Sequence, residues 1–236
     1  MANRFTALLA PLRHGLIVSC QAPPDSPLYD PEIIAAIAHT AVLRGAVAVR
    51  IDTPIHIEAV RRRVRVPIIG LWKRSFEGSE VYITPQFEQA KAIAQAGADV
   101  IAIDATRRPR PGGETVESII QRIHAELDRP VMADVDTLES AIAAEQAGAD
   151  LVGSTLYGYT AATRHLKPPS LELIAQMTEQ LIVPVICEGG IASPQMAQQA
   201  LASGAYAVVV GTAITGIDLQ VKAYCAALTA QSIGIA

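Results

Sequence analysis

Two side chains stand out as able to move a proton. Lys73 closes the apolar run 67–72, and Glu188 closes the run 184–187. Each abuts a segment expected to be buried, where an ionised group is costly without a task or a partner. An amine and a carboxyl at the ends of buried strands are therefore hard to read as merely structural. Other apolar runs end the same way: in Gln21, Arg50, Asp104, Asp134, Ser154-Thr155 and Gly211-Thr212. The glycines of Glu188-Gly189-Gly190-Ile191 and of Gly211-Thr212 let backbone N–H groups approach an anion, which marks Gly189, Gly190, Gly211 and Thr212 as a phosphate cradle. Plainer roles exist for several of these groups. Asp104 and Asp134 could anchor loops, Arg50 could pair with Asp52, Ser154 and Thr155 could cap turns, and Gln21 could tie down the loop 22–31.

A repeating frame positions them. Ala-Gly-Ala-Asp occurs at 96–99 and again at 147–150, with looser versions at 44–46 and 203–205. Glycine at 45, 97, 148 and 204 suits a helix C-terminus, where the residue usually has positive φ. Between these repeats fall Val66-Pro67-Ile68-Ile69, Arg129-Pro130-Val131-Met132 and Val183-Pro184-Val185-Ile186. Each puts proline just ahead of a short apolar run, the one place a central strand tolerates it. The alternation predicts strands at 15–20, 47–52, 67–72, 99–104, 130–134, 150–154, 184–187 and 206–211. Helices are expected at 85–96, 115–126, 137–147, 170–179 and 194–203, with Thr84-Pro85 and Ser193-Pro194 as N-caps followed by proline.

Eight strands alternating with helices in 236 residues predict one α/β domain, a (β/α)8 TIM barrel spanning 1–236. The first strand is not followed by a glycine-rich dinucleotide fingerprint, which argues against an open doubly wound sheet. Half the residues are hydrophobic, enough for a large core. A net charge of −4 favours neither nucleic acid nor an anionic membrane, so neither is expected as a partner. The basic run Arg61-Arg62-Arg63 suits a helix C-terminus. Three widely spaced cysteines and five scattered histidines offer no metal-ligand spacing. The expectation is a cytoplasmic enzyme without metal, its apolar stretch 219–228 closing the barrel or forming a homodimer.

The residues also carry a family likeness over nearly the whole chain. Gly15-Leu16-Ile17-Val18-Ser19-Cys20-Gln21-Ala22, Gly70-Leu71-Trp72-Lys73, Tyr82-Ile83-Thr84-Pro85 and Asp104-Ala105-Thr106 are followed by Met132-Ala133-Asp134, Ser154-Thr155-Leu156, Gly158-Tyr159-Thr160 and Glu188-Gly189-Gly190-Ile191. Together they resemble the bacterial N-acetylmannosamine-6-phosphate 2-epimerase family. The resemblance implies inversion at C2 of a phosphorylated amino sugar without any cofactor. It further implies that Lys73 and Glu188 are catalytic and that Gln21, Arg50 and Asp134 bind substrate. One departure is plain: Ala213-Ile214-Thr215 is followed by Gly216, where the family carries an arginine that reaches the phosphate. Arg107, Arg108 and Arg110 are candidates to replace that charge. Two other readings of the same residues are a Schiff-base sugar-phosphate aldolase using Lys73 and a barrel that binds a phosphosugar without turnover.

Overall fold

The computed structural model describes residues 4–231. The short helix α1 (Thr6–Leu9) precedes eight parallel strands that alternate with helices. In chain order these are β1 (Leu16–Cys20), α2 (Pro31–Leu43), β2 (Ala48–Asp52), α3 (Pro54–Arg63), β3 (Ile68–Leu71), α4 (Phe87–Gln95), β4 (Val100–Asp104) and α5 (Val116–Arg122). Then follow β5 (Val131–Asp134), α6 (Leu138–Gln146), β6 (Leu151–Gly153), α7 (Leu171–Gln180), β7 (Val185–Glu188), α8 (Pro194–Ala202), β8 (Ala207–Val210), α9 (Thr212–Thr215) and α10 (Ile217–Gln231). Every strand pairs in parallel with its sequence neighbours, and β8 closes on β1. The fold is the TIM barrel expected from the alternation.

Strand residues alternate between two cores. Val18, Val49, Ile51, Ile101, Ile103, Val131 and Val208 point outward and pack under the helices. Ile17, Ala48, Ile69, Leu71, Ala102, Met132, Leu151, Ile186 and Val209 point inward and fill the barrel, which Leu9 and Leu12 plug from below. A central filling of Ile, Leu, Val, Ala and Met with no charge leaves polar inward positions only at the upper rim.

The glycine repeat does what its position requires. Gly45, Gly97, Gly148 and Gly204 all have φ between 99° and 106° at the ends of α2, α4, α6 and α8. The aspartates beside two of them tie down the floor: Asp99 accepts from the N–H of Ile68 at 2.8 Å, and Asp150 accepts from that of Val131 at 2.8 Å. Ser193 caps α8 by accepting from the Met196 N–H, as expected. Thr84 does not cap α4. It has φ 43°, and its hydroxyl accepts from the Trp72 N–H at 3.1 Å, while Gln86 stands at the N-cap. Residues 72–84 first make a small excursion closed by a Lys73–Ile83 bridge, and that bridge claims Thr84. Arg61, Arg62 and Arg63 do form the last turn of α3. Among the described residues no helix is long and apolar enough to cross a membrane.

Candidate active site

The period-two alternation that fills the barrel also builds the rim. Two residues above each inward filler stands an inward group: Ser19 above Ile17, Arg50 above Ala48, Lys73 above Leu71, Asp104 above Ala102, Asp134 above Met132 and Glu188 above Ile186. Gln21, Asp52, Thr155 and Gly211 share that parity on their own strands. Of these, Ser19, Gln21, Arg50, Asp52, Lys73, Thr155, Glu188 and Gly211 line a cavity of about 840 Å³ at the C-terminal mouth. In this fold chemistry belongs at that end.

Arg50 is the fixed point of the site. Only 2% of its side chain is exposed, and it meets Asp134 with two parallel bonds of 3.1 and 2.6 Å. Its Nη1 also lies 3.1 Å from Glu188 Oε2. Burial alone would loosen the Arg50 proton, and the charges of Asp134 and Glu188 more than reverse this, so it stays cationic. The bidentate pairing gives it one orientation. The alternative pairing of Arg50 with Asp52 is not what forms, although both sit on the inward face of β2.

Glu188 is the group whose charge is in play. Burial raises its carboxyl to about 7; Arg50 opposes the rise and Asp134 adds to it. Thr155 Oγ1 lies 2.7 Å from Asp134 and 3.1 Å from Glu188 Oε2, yet one hydroxyl has one proton to give. A protonated Glu188 resolves this, donating to Thr155 while Thr155 donates to Asp134. The carboxyl therefore changes state near neutral pH, where an acid/base group works best.

Lys73 faces it across the mouth, since β3 and β7 are opposite members of the ring. Its Nζ donates to Gln21 Oε1 at 2.6 Å. The chain is open to the cavity but walled by the rim, and its proton affinity is lowered by burial. Arg50 lowers it further, against the upward pull of Asp52. A lysine so placed is partly available as the neutral amine.

The glycine loops lie where the sequence put them. Gly189, Gly190, Gly211 and Thr212 line the cavity beside Glu188. Gly189 and Gly190 have φ 103° and 69°, and a Cβ at Gly190 would run into the Pro168 carbonyl oxygen and stand 2.5 Å from its carbon. Gly216 lines the same end of the cavity, and a Cβ there would lie 2.7 Å from Thr212 Cα. The backbone has settled around a residue without a side chain, and Asp218, held by Ser26 at 3.0 Å, lines the wall next to it.

Three expected groups lie behind the wall: Asp134, fully buried against Arg50, and Asp104 and Ser154. Asp104 is fully buried and accepts from Thr106 at 2.7 and 3.0 Å and from Arg108 at 2.7 Å. Ser154 has outward parity; its hydroxyl donates to the Glu188 carbonyl at 2.9 Å and accepts from the Glu188 N–H at 3.1 Å. It thereby ties β6 to β7 at the level of the Glu188 carboxyl. Arg108 and Arg110 do not supply the missing cation. Arg108 is spent on Asp104 and Glu80, and Arg110 is buried against the Asp104 and Thr84 carbonyls. Sequence reasoning passed over Tyr82 and Tyr159, which line the cavity, and considered Asp52 only as a partner for Arg50. Counting in twos from the apolar fillers would have found Asp52 and set Ser154 apart from Thr155.

Fold and site define a barrel enzyme with an amine and a carboxyl across one polar mouth. The chain belongs to the family whose model is described as "Putative N-acetylmannosamine-6-phosphate epimerase", which matches residues 34–230. A relative from Thermosynechococcus vestitus that bears that description as a 2-epimerase is 63% identical over 225 residues, 95% of this chain and 98% of its own. One from Synechococcus elongatus with the same description is 64% identical over 222 residues, 93% of this chain and 96% of its own. The solved N-acetylmannosamine-6-phosphate 2-epimerase of Clostridium perfringens superposes with a TM-score of 0.89 at 37% identity, covering 95% of this chain and 97% of its own.

Proposed function

We propose that the protein inverts C2 of N-acylmannosamine 6-phosphate, giving the N-acylglucosamine 6-phosphate, by removing and returning a proton. The observation that carries this reading is the placement of Lys73 and Glu188 on opposite walls of one cavity, with Arg50 fixed between Asp134 and Glu188. In the open-chain sugar the C2 hydrogen is α to the C1 aldehyde, so its removal gives an enolate stabilised at O1. Neutral Lys73 takes the proton. Glu188, half protonated near neutrality, supplies one to C2 of the enolate from the face Lys73 does not reach, and the resulting ammonium and carboxylate exchange their proton with solvent before the next turnover. Gln21 orients the amine, and Thr155 with Asp134 orients the acid. The N–H groups around Gly189, Gly190, Gly211 and Thr212 hold the 6-phosphate, without the arginine that Gly216 replaces. Asp104 and Ser154 serve by fixing the strands that carry the site.

The test is proton NMR of the purified protein with N-acetylmannosamine 6-phosphate in D₂O, with the unphosphorylated sugar beside it. The phosphorylated sugar should give the gluco epimer carrying deuterium at C2, and Lys73→Ala should lose about 10²–10⁴-fold in turnover. Failure of both sugars to epimerise, or near-normal turnover by Lys73→Ala, overturns the assignment.

We also propose that the working unit is a homodimer in the cytoplasm. Residues 221–229 of α10 are exposed on every side, including Val221, Tyr224 and Leu228. On the outer face of the barrel an apolar groove lies open between β1 and α2, lined by Leu16, Val18, Ile33, Ile37 and Ala41. That is the seat a helix after β8 would take in a closed ring of helices, so a second copy's α10 is its natural occupant. Sedimentation at twice the single-chain mass supports this, and a monomer at working concentration refutes it.

A further inference from the structure

A carboxylate that neither family likeness nor strand-end reading singled out lies directly beneath the proposed base. Asp52 ends β2 with inward parity, and its register partner Leu71 lies two residues before Lys73. Its Oδ1 accepts from the Lys73 N–H at 3.0 Å. From the other side Lys73 is bridged to Ile83, and its neighbours Trp72 and Arg74 exchange main-chain bonds with Thr84 and Tyr82. The main chain of Lys73 is thus clamped between Asp52 and the excursion that returns at Thr84. Behind Asp52, His56 is 2% exposed on the first turn of α3, with Tyr29 edge-on at 4.6 Å and its Nε2 unpartnered. Burial lowers the His56 proton affinity, so a neutral ring backs the carboxylate and adds no competing cation.

We propose that Asp52 is the positioning residue of the reaction: it anchors the main chain of Lys73, and its charge sets how much of that amine is neutral. The inference rests on Lys73 being the base. The groups facing Lys73 are Asp52 and Arg50 from β2, Asp134 from β5, Glu188 from β7 and the neutral Gln21 beyond β1. Arg50, held by Asp134 and Glu188, opposes Asp52 and lowers the proton affinity of the amine. Asp52 is the strongest of the charges acting on Lys73 and the leading one that favours the ammonium. Lys73 in turn is the leading influence keeping the Asp52 carboxyl ionised against burial, so the two ionise as a pair. The pair serves a definite need. Too little anionic charge beside the amine leaves a weak base, and too much leaves it protonated and idle.

Asp52→Asn separates anchor from charge, because the amide oxygen still accepts from the Lys73 N–H. The Asp52 variants are read in a Glu188→Gln background, which removes the second titration, so that base catalysis by neutral Lys73 makes the acid limb of kcat/KM report its ionisation. Loss of one adjacent anion moves such a group by about 1–3 pH units. The acid limb of Asp52→Asn should therefore move about one unit or more toward lower pH, with KM near normal, and with kcat on the alkaline plateau reduced because the amine is a weaker base. Asp52→Ala removes the anchor as well and should lose further in kcat with the limb equally displaced. An acid limb that stays in place in folded Asp52→Asn, judged by circular dichroism, overturns the proposal. The outcomes are separable from failure of the underlying reading. If Lys73→Ala still turns over, the base is misassigned. If Lys73→Ala is dead and the limb of Asp52→Asn is unmoved, Lys73 is the base and Asp52 does not tune it.

Discussion

Replacing Glu188 by glutamine separates the stability the site costs from the turnover it supports. Burial lifts the folded-state carboxyl from 4.5 to about 7, although Arg50 pulls it down. The unfolded chain ionises near the ordinary value, so between about pH 4.5 and 7 the folded protein keeps a proton that the unfolded chain has lost. A raised folded-state value means the contribution is fully present below that window and is lost as pH rises through it. At about 1.4 kcal/mol per unit, the penalty above neutrality has a ceiling of about 3 kcal/mol. Glutamine carries no charge to desolvate, and its amide oxygen can still accept from Arg50. Urea denaturation from about pH 4 to about pH 8.5, at one fixed protein concentration, reads the difference directly. The variant should match the wild type at the acid end and exceed it by up to about 3 kcal/mol at the alkaline end. Its turnover should fall by about 10²–10⁴-fold. A stability difference that does not change with pH, or a variant weaker than wild type at the alkaline end, refutes the burial argument.

The remaining perturbations act on the supports. Arg50→Met keeps the length of the side chain but strands the fully buried Asp134 carboxylate without its bidentate partner. It should cost about 3–5 kcal/mol in urea denaturation, and removal of a cation from beside Glu188 should raise that carboxyl further. Gly190→Ala forces a side chain onto a residue at φ 69° and against the Pro168 carbonyl. Strain of about 1–3 kcal/mol is expected, read as a lower melting temperature, together with a higher KM for the phosphorylated sugar; an unchanged KM would remove this loop from phosphate binding.

The barrel was legible because its signals are local and repeated. Gly45, Gly97, Gly148 and Gly204 each end a helix with positive φ, and the prolines at 67, 130 and 184 each sit just ahead of a strand. The alternation fixed the count of strands, and the count fixed the architecture. Lys73, Glu188, Arg50, Gln21 and Thr155 were legible as charges or hydroxyls at the ends of apolar runs, and the structure brings them to one cavity. What escaped depends on contacts far apart in the chain. The partners of Arg50 are 84 and 138 residues away, so nothing near it in sequence could rank Asp134 above Asp52. Thr84 had a capping pattern beside a proline, and the bridge at Lys73 overrode it. Arg108 and Arg110 were free charges on paper, and buried acceptors in the structure claim both.

The same alternation explains why the site is expensive to build yet stable enough to work. Inward positions below the rim carry Ile, Leu, Val, Ala and Met, which exclude water from beneath Arg50, Asp134 and Glu188. That dry floor is what raises Glu188 toward neutrality and strengthens its coupling to Arg50. A carboxyl exposed on a loop would keep an ordinary value and make a poor acid at neutral pH. Arg50 keeps the cost bounded, since its one guanidinium serves two carboxyls. The chemistry therefore follows from the packing beneath it. Substitutions in the inward floor that admit water, such as Met132→Ala below Asp134, act on turnover through the ionisation of Glu188 even though they touch no substrate.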